Sequence, residues 1–431
     1  MAIIVFVTTV ILMMSGLIFF PKIRLFKKEF ESYWLIVLIG AIVAIFTTGM
    51  DSKNLIDSIF KDSEMNPIKL VTFFISMTIL SIYLNEIGFF QKVAYWVLKK
   101  VNNHQNKIFL YFSLLVSILT IFVSNDVIIL TFIPIMIYFA RHAKINPLPY
   151  LFAVLVFANT FSLILIVGNP TNVYLATNQN ISFLEYMKVM FIPGIITGIV
   201  SYLILWFIFR KELKKQIEVP MDQVIEIDQT KMVLGLVHLG ITLVLLTLSN
   251  LISLEMWIIT IVADISLLGI TYFINRKHKN SQHLIKSTLK KAPWTFIPLI
   301  IGMYILVDSV KQNGFHVEVF NLLNQFDPIY GYGISTFFLA NIMNNLPMTM
   351  FMQLVIEEVP AYLTLKVTYA SIIGANLGVL LSPFGALAGL MWYDLLKQHE
   401  IKISIGKYIK TLLILGIVSL LMGLFVLSLI I

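Results

Sequence analysis

The chain has 431 residues, of which 58% are hydrophobic and only 13% charged. A soluble protein of this length needs far more polar surface, so composition excludes one and points to a polytopic α-helical membrane protein. The formal net charge is +8, but the basic residues cluster in loops between apolar runs, which speaks of membrane orientation and not of nucleic acid. With no cysteine in the chain, disulfides, thiolate metal sites and thiol redox chemistry are excluded.

The first apolar run, from Ile3 to Phe20, lacks a basic leader and a small-residue cleavage site, and reads as a retained span. Candidate spans follow at 2–20, 33–49, 68–97, 148–177, 183–209, 231–250, 256–274, 293–311, 362–396 and 408–431. No run of short alternating strands suggests a membrane barrel. The stretch 51–60 alternates in a helix-like way and fits either a surface helix at the outer interface or a loop. Two further apolar stretches, 108–140 and 329–356, are interrupted at their centres by polar motifs.

Basic loops lie at 22–28, 99–107, 141–144, 210–215, 276–291 and 397–410, and the positive-inside rule places all six in the cytoplasm. Loops near 50–66, 178–182, 251–255 and 312–328 are poorer in Lys and Arg and fall outside, as do both termini. Lys107 and Arg141 then lie on the same side, so the segment between them enters and leaves by one face. It is a re-entrant helical hairpin with Ser124-Asn125-Asp126 at its tip. Residues 329–356 form the matching hairpin from the opposite face, with Asn344-Asn345-Leu346-Pro347 at its tip.

The two halves also align directly. Segment 76–89 matches 302–315 without gaps, with identities Met77/Met303, Ile79/Ile305, Leu80/Leu306, Gly88/Gly314 and Phe89/Phe315. Ala158-Asn159 matches Ala375-Asn376, and Gly168 matches Gly385 at the same offset. The expected architecture is all-α, with two inverted repeats. It has about ten transmembrane spans, two re-entrant hairpins and two broken helices. The first repeat is 1–215 (hairpin 108–140, broken helix 148–177), the cytoplasmic linker 216–230, and the second repeat 231–431 (hairpin 329–356, broken helix 362–396).

Broken segments at membrane depth survive only where protein or a water-filled cavity satisfies their backbone, and paired ones mark a transporter's binding site. Ser, Asn and Asp are the residues that cap such half-helix ends, whose N-termini favour anions or oxygen-rich solutes. Pro170 breaks the span around Gly168-Asn169-Pro170-Thr171-Asn172, and Ser382-Pro383 reads as a capping serine followed by proline at the first helical position. One buried Asn in a membrane helix is more often a tie between helices than a ligand, so the repeated set carries the argument. Asp126 is the ionisable residue best placed to take up a proton or hold Na⁺; its counterpart is Leu346, so the repeat does not require the acid. Asp264 and Asp308 could each bind a proton, but pairing with neighbouring polar groups is the favoured reading; Glu86 and Glu255 read as interfacial and His238 as a structural histidine. No phosphate-binding Gly-Lys loop, histidine pair at metal-ligand spacing or Ser/His arrangement suggests an ATPase, a metal site or an enzyme, and no cofactor is expected.

These motifs resemble the arsenite/antimonite efflux membrane proteins of the ion transporter superfamily, which also holds Na⁺/H⁺ antiporters and divalent-anion/sodium symporters. The likeness is strongest from Ser124 to Pro134, around Gly168–Asn172 with Phe183-Leu184-Glu185-Tyr186, at Asn344–Thr349, and from Gly374 through Ser382-Pro383-Phe384-Gly385 to Trp392. The resemblance implies a substrate and ion site at Ser124, Asn125, Asp126, Gly168, Asn169, Thr171, Asn172, Asn344, Asn345, Ser382 and Gly385, with Asp126 coupling the proton. It implies exchange of a neutral trivalent hydroxide for protons, a homodimer as in many relatives, and for some members a separate ATPase subunit. Departures touch the site: Gly168-Asn169-Pro170 stands where efflux proteins often have Ser-Asn-Leu, and bulky Val127 and Ile128 follow Asp126. The readings left open are a Na⁺/H⁺ antiporter and a transporter of inorganic or carboxylic anions, the latter disfavoured by a carboxylate at the tip.

Overall fold

The computed structural model describes residues 1–25, 28–48, 66–100, 104–215, 227–249, 251–274 and 279–431. The expected stretch 51–60 and most of the 216–230 linker lie outside them. Among the described residues the chain is helical except for one short ribbon. Nine helices in that set are long and apolar enough to cross a membrane. The ribbon joins α1 (Ala2–Phe19) to α2 (Ser32–Thr48) and pairs Lys22–Leu25 antiparallel with Lys28–Glu31. Its register sets Lys22 opposite Glu31 and Arg24 opposite Glu29, with Arg24 reaching Glu29 at 3.5 Å, in a segment that reads in sequence only as a basic loop.

The single span expected over 68–97 is broken. Helix α3 (Pro67–Glu86) starts on an Asn66 cap and ends at Gly88, whose φ of 84° suits glycine alone, and α4 (Phe89–Lys100) leaves in a new direction. The first hairpin is α5 (Gln105–Phe122) and α6 (Asn125–His142), with Val123 and Ser124 extended at the tip. The first broken helix is α7 (Leu148–Thr160), two 3-10 turns through Gly168, and α8 (Pro170–Asn178). A capping box of Ser182 and Glu185 then opens the long α9 (Phe183–Leu213).

The second half repeats this order. Spans α10 (Gln229–Thr247) and α11 (Met256–Ile274) are followed by α12 (Lys279–Lys291), a helix within the expected basic loop. Then come α13 (Phe296–Lys311), Gly314 at φ 73°, and α14 (Phe315–Leu323). The hairpin α15 (Pro328–Met343) and α16 (Asn345–Glu357) turns at Asn344. The broken helix is α17 (Ala361–Leu377), two 3-10 turns through Gly385, and α18 (Leu387–Gln398), before α19 (Ile405–Ser428) closes the repeat.

Inversion is visible in the packing. The corresponding helices α9 and α19 cross antiparallel. Ser201 and Ser419 hydrogen-bond at 2.7 Å, while Gly423 packs on Thr197. Elements also trade partners across this pseudo-twofold axis. Helix α6 packs on α18 and α16 on α8; α2 packs on α13 and α11 on α3. The buried core is therefore continuous between the halves.

Candidate functional site

The two hairpin tips and two broken helices converge on one narrow cavity with room for about one water molecule. The first two residues of all four half-helices line it: Asn125 and Asp126 of α6, Pro170 and Thr171 of α8, Asn345 and Leu346 of α16, Leu387 and Ala388 of α18. Four helix N-termini thus bring the partial positive charge of their first turns to one point. Asp126 is the one acidic side chain in the lining. Among the described residues no hydrogen bond or ion pair reaches its carboxylate.

The four ends are not finished alike. Asn169 caps α8: its Oδ1 accepts from Thr171 N at 3.2 Å and Thr171 Oγ1 at 3.1 Å. The corresponding position before α18 is Ala386, which has no side chain to cap with. Ser382 caps only the 3-10 turn ahead of it, accepting from Phe384 N at 3.3 Å, so the expected capping serine acts one turn early. Ser124 makes no capping bond either, contrary to expectation; its hydroxyl is buried and unpartnered among the described residues. Asn125 Nδ2 donates to Asn159 Oδ1 at 3.1 Å while its own Oδ1 is left without a partner.

Of the residues singled out in the sequence, Asn125, Asp126, Asn169, Thr171 and Asn345 face the cavity. The rest shape it. Asn172 Nδ2 donates to the carbonyls of Ser162 (2.8 Å) and Leu165 (3.2 Å), fixing the first loop. Asn344 takes a positive φ of 67° and donates to Phe384 O at 3.1 Å, tying the second tip to the second loop. A Cβ on Gly168 would strike the Ser162 backbone, and one on Gly385 the Gly378 backbone, so both glycines allow the chain to fold back on itself.

Three residues beyond that set complete the network. Asn376 Oδ1 accepts from Asn169 Nδ2 at 2.9 Å and from Ser162 Oγ at 3.0 Å. Its Nδ2 donates to Asn172 Oδ1 at 2.6 Å, so a side chain of the second repeat supports the loop of the first. Asn341 joins the second tip to its loop through Gly378 O and Ser382 Oγ. The repeated Ala-Asn pairs at Asn159 and Asn376 were the available signal for two of these residues; nothing in the sequence distinguishes Asn341.

Inverted hairpins, broken helices and a shared polar cavity at their tips define a multi-pass membrane transporter. A family model described as citrate transporter (CitMHS) matches residues 31–370. The arsenical pump membrane protein of Escherichia coli K12 is 30% identical over 370 residues, covering 82% of this chain and 83% of that protein. The putative arsenical pump membrane protein of Bacillus subtilis is 28% identical over 371 residues, covering 78% and 81%. The chain belongs to this citrate transporter family and, within the ion transporter superfamily, to the arsenical pump membrane proteins. In fold it is similar to the Alcanivorax borkumensis YdaH transporter, with a TM-score of 0.58 at 12% identity over 99% of this chain and 98% of that one. These relatives place it among secondary transporters.

Proposed function

We propose that the chain exports arsenite or antimonite in exchange for protons, by alternating access to the cavity at the four helix ends. One observation carries the reading: a single carboxylate, Asp126, which no hydrogen bond reaches among the described residues, sits where four positive helix ends meet. A neutral trivalent hydroxide both donates and accepts hydrogen bonds. Once the cavity widens beyond its one-water size to admit the solute, Asp126 and the free Asn125 Oδ1 accept its hydroxyl protons, and the N–H groups opening α18 face its oxygen lone pairs. The chain has no thiolate to bind the metalloid covalently, so the hydroxide is held by oxygen and nitrogen groups alone. Protonating Asp126 removes an acceptor and releases the solute, so proton and solute compete for one site. The arsenical pump relatives support this choice of solute. In this reading both termini lie outside.

A second reading is transport of an inorganic or carboxylic anion, favoured by the four converging N-termini and the family model's description. The two are separated by solute-dependent proton flux in proteoliposomes, presenting arsenite, antimonite, Na⁺ and citrate in turn. A signal with arsenite or antimonite that is lost in Asp126→Asn supports the exporter. Concentrative export by that variant, or a signal with citrate or Na⁺ alone, overturns it.

A further inference from the structure

A second acidic side chain lies at membrane depth, away from the cavity. Asp264 stands midway along α11, is 5% exposed, and faces α3. The Ser76 hydroxyl of α3 approaches its carboxyl, but Oδ1 has no hydrogen-bond partner among the described residues. The neighbour expected from sequence therefore serves only part of the group.

Helices α3 and α11 run parallel and are joined by three polar rungs: Lys69 to Glu255 at 2.6 Å, Ser76 to Asp264, and Tyr83 to Thr271 at 3.1 Å. The last two rungs are about two turns apart on both helices. The other titratable groups on elements packed against α11 are Glu86 of α3, Lys231 and His238 of α10, and His283, Lys286, Lys290 and Lys291 of α12. Lys231 pairs with Asp228 and Lys291 with Glu86, while His238 bonds Leu234 O and Ser266 Oγ. Among the described residues no salt bridge reaches Asp264. An ionised carboxylate there would be an uncompensated charge at membrane depth, which is strongly unfavourable.

The other wing shows that packing does not require the acid. By the repeat, Ser76 corresponds to Gly302, and Gly302 packs directly on Val37 of α2. An apolar contact closes that pair of helices, where Ser76 and Asp264 occupy this one.

We propose that Asp264, supported by Ser76, is a second proton-binding site of the transporter, outside the solute cavity. The carboxyl is neutral in the packed state. When the contact between α3 and α11 admits water, its O–H bond breaks, the proton passes to water and the carboxylate remains. Neither helix contributes to the cavity lining, and the inference makes no assumption about the solute.

The test is infrared difference spectroscopy of the full chain in lipid, titrated with pH and without solute, reading the protonated-carboxyl C=O stretch. A component that disappears at alkaline pH should be present in the wild type and in Asp126→Asn, and missing in Asp264→Asn. Ser76→Ala should shift its frequency. The double variant Asp264→Val with Ser76→Gly copies the other wing, should fold, and should also lack the component. Identical titrations of the wild type and either Asp264 variant would overturn the proposal. A protein that carries no arsenite but keeps this band would refute the exporter reading and leave Asp264 as a proton site.

Discussion

Asn376 Nδ2 donates to Asn172 Oδ1 at 2.6 Å, and the same amide accepts from Asn169 at 2.9 Å, across the boundary between the two repeats. One buried side chain of the second broken helix thus bonds three of the first, Ser162, Asn169 and Asn172. Asn376→Leu would leave Asn169 Nδ2 unpaired, at about 1–3 kcal/mol, and Asn172 Oδ1 with only a 3.5 Å contact from Thr171 Oγ1. The expected outcome is a lower melting temperature in detergent together with loss of transport. Asn376→Asp keeps the acceptor but loses the donor, and should fall between the two in a thermal-shift assay.

Gly168 and Gly385 each pass a backbone too closely for any Cβ. Gly168→Ala and Gly385→Ala should each cost about 1–3 kcal/mol through forced backbone movement. Because that movement shifts the start of α8 or α18, solute flux should fall more than expression does. Equal losses of flux and folded protein would argue against a positioning role.

Asp126 and Leu346 occupy the second position of α6 and α16 and line the same cavity from opposite repeats. Asp126→Leu alone should abolish solute-linked proton movement. Adding Leu346→Asp restores a carboxylate to the cavity from the other side and should recover part of it. No recovery in a folded double variant would show that the side of the cavity matters, not merely the charge.

The bond between Ser201 and Ser419 joins α9 to α19, at 2.7 Å between hydroxyl oxygens. The chain has no cysteine, so Ser201→Cys with Ser419→Cys gives a clean pair. It should oxidise to an intramolecular disulfide, read as a mobility shift on non-reducing gels, within the separations a disulfide tolerates. Absence of the cross-link would contradict the antiparallel crossing of α9 and α19.

The same background tests orientation. Asn180 and Glu400 are both exposed, at opposite predicted faces. Asn180→Cys should react with a membrane-impermeant maleimide in intact cells, and Glu400→Cys only after permeabilisation. The reverse pattern would invert the topology.

The hairpins and broken helices were legible because Asn, Pro and Gly in long apolar runs have few structural explanations, and because loop charge fixed which segments could not cross. The break at Gly88 was not, since one glycine in an apolar run is compatible with an unbroken helix. Its positive φ emerges only with the fold. The cavity was legible as a set and not side chain by side chain: Asn172 and Asn344 turn to backbone carbonyls, whereas Asn345 and Thr171 face inward. Sequence spacing cannot choose between these, because a loop's side-chain directions depend on the partner it packs against. Asn376 illustrates this, for its partners lie in the opposite repeat.

The exchange of α2 and α11 between the wings bears on how the chain is made. Helix α3 is mostly buried, yet its partner α11 is synthesised well over a hundred residues later. Until then its polar rungs at Lys69, Ser76 and Tyr83 must wait against lipid or the insertion machinery. Helix α2 likewise waits for α13. Neither half can finish its own wing, so assembly is a late event that needs both. A ribosome stalled after α9 would leave in the membrane a half-protein with unmatched polar faces, a natural target for quality control.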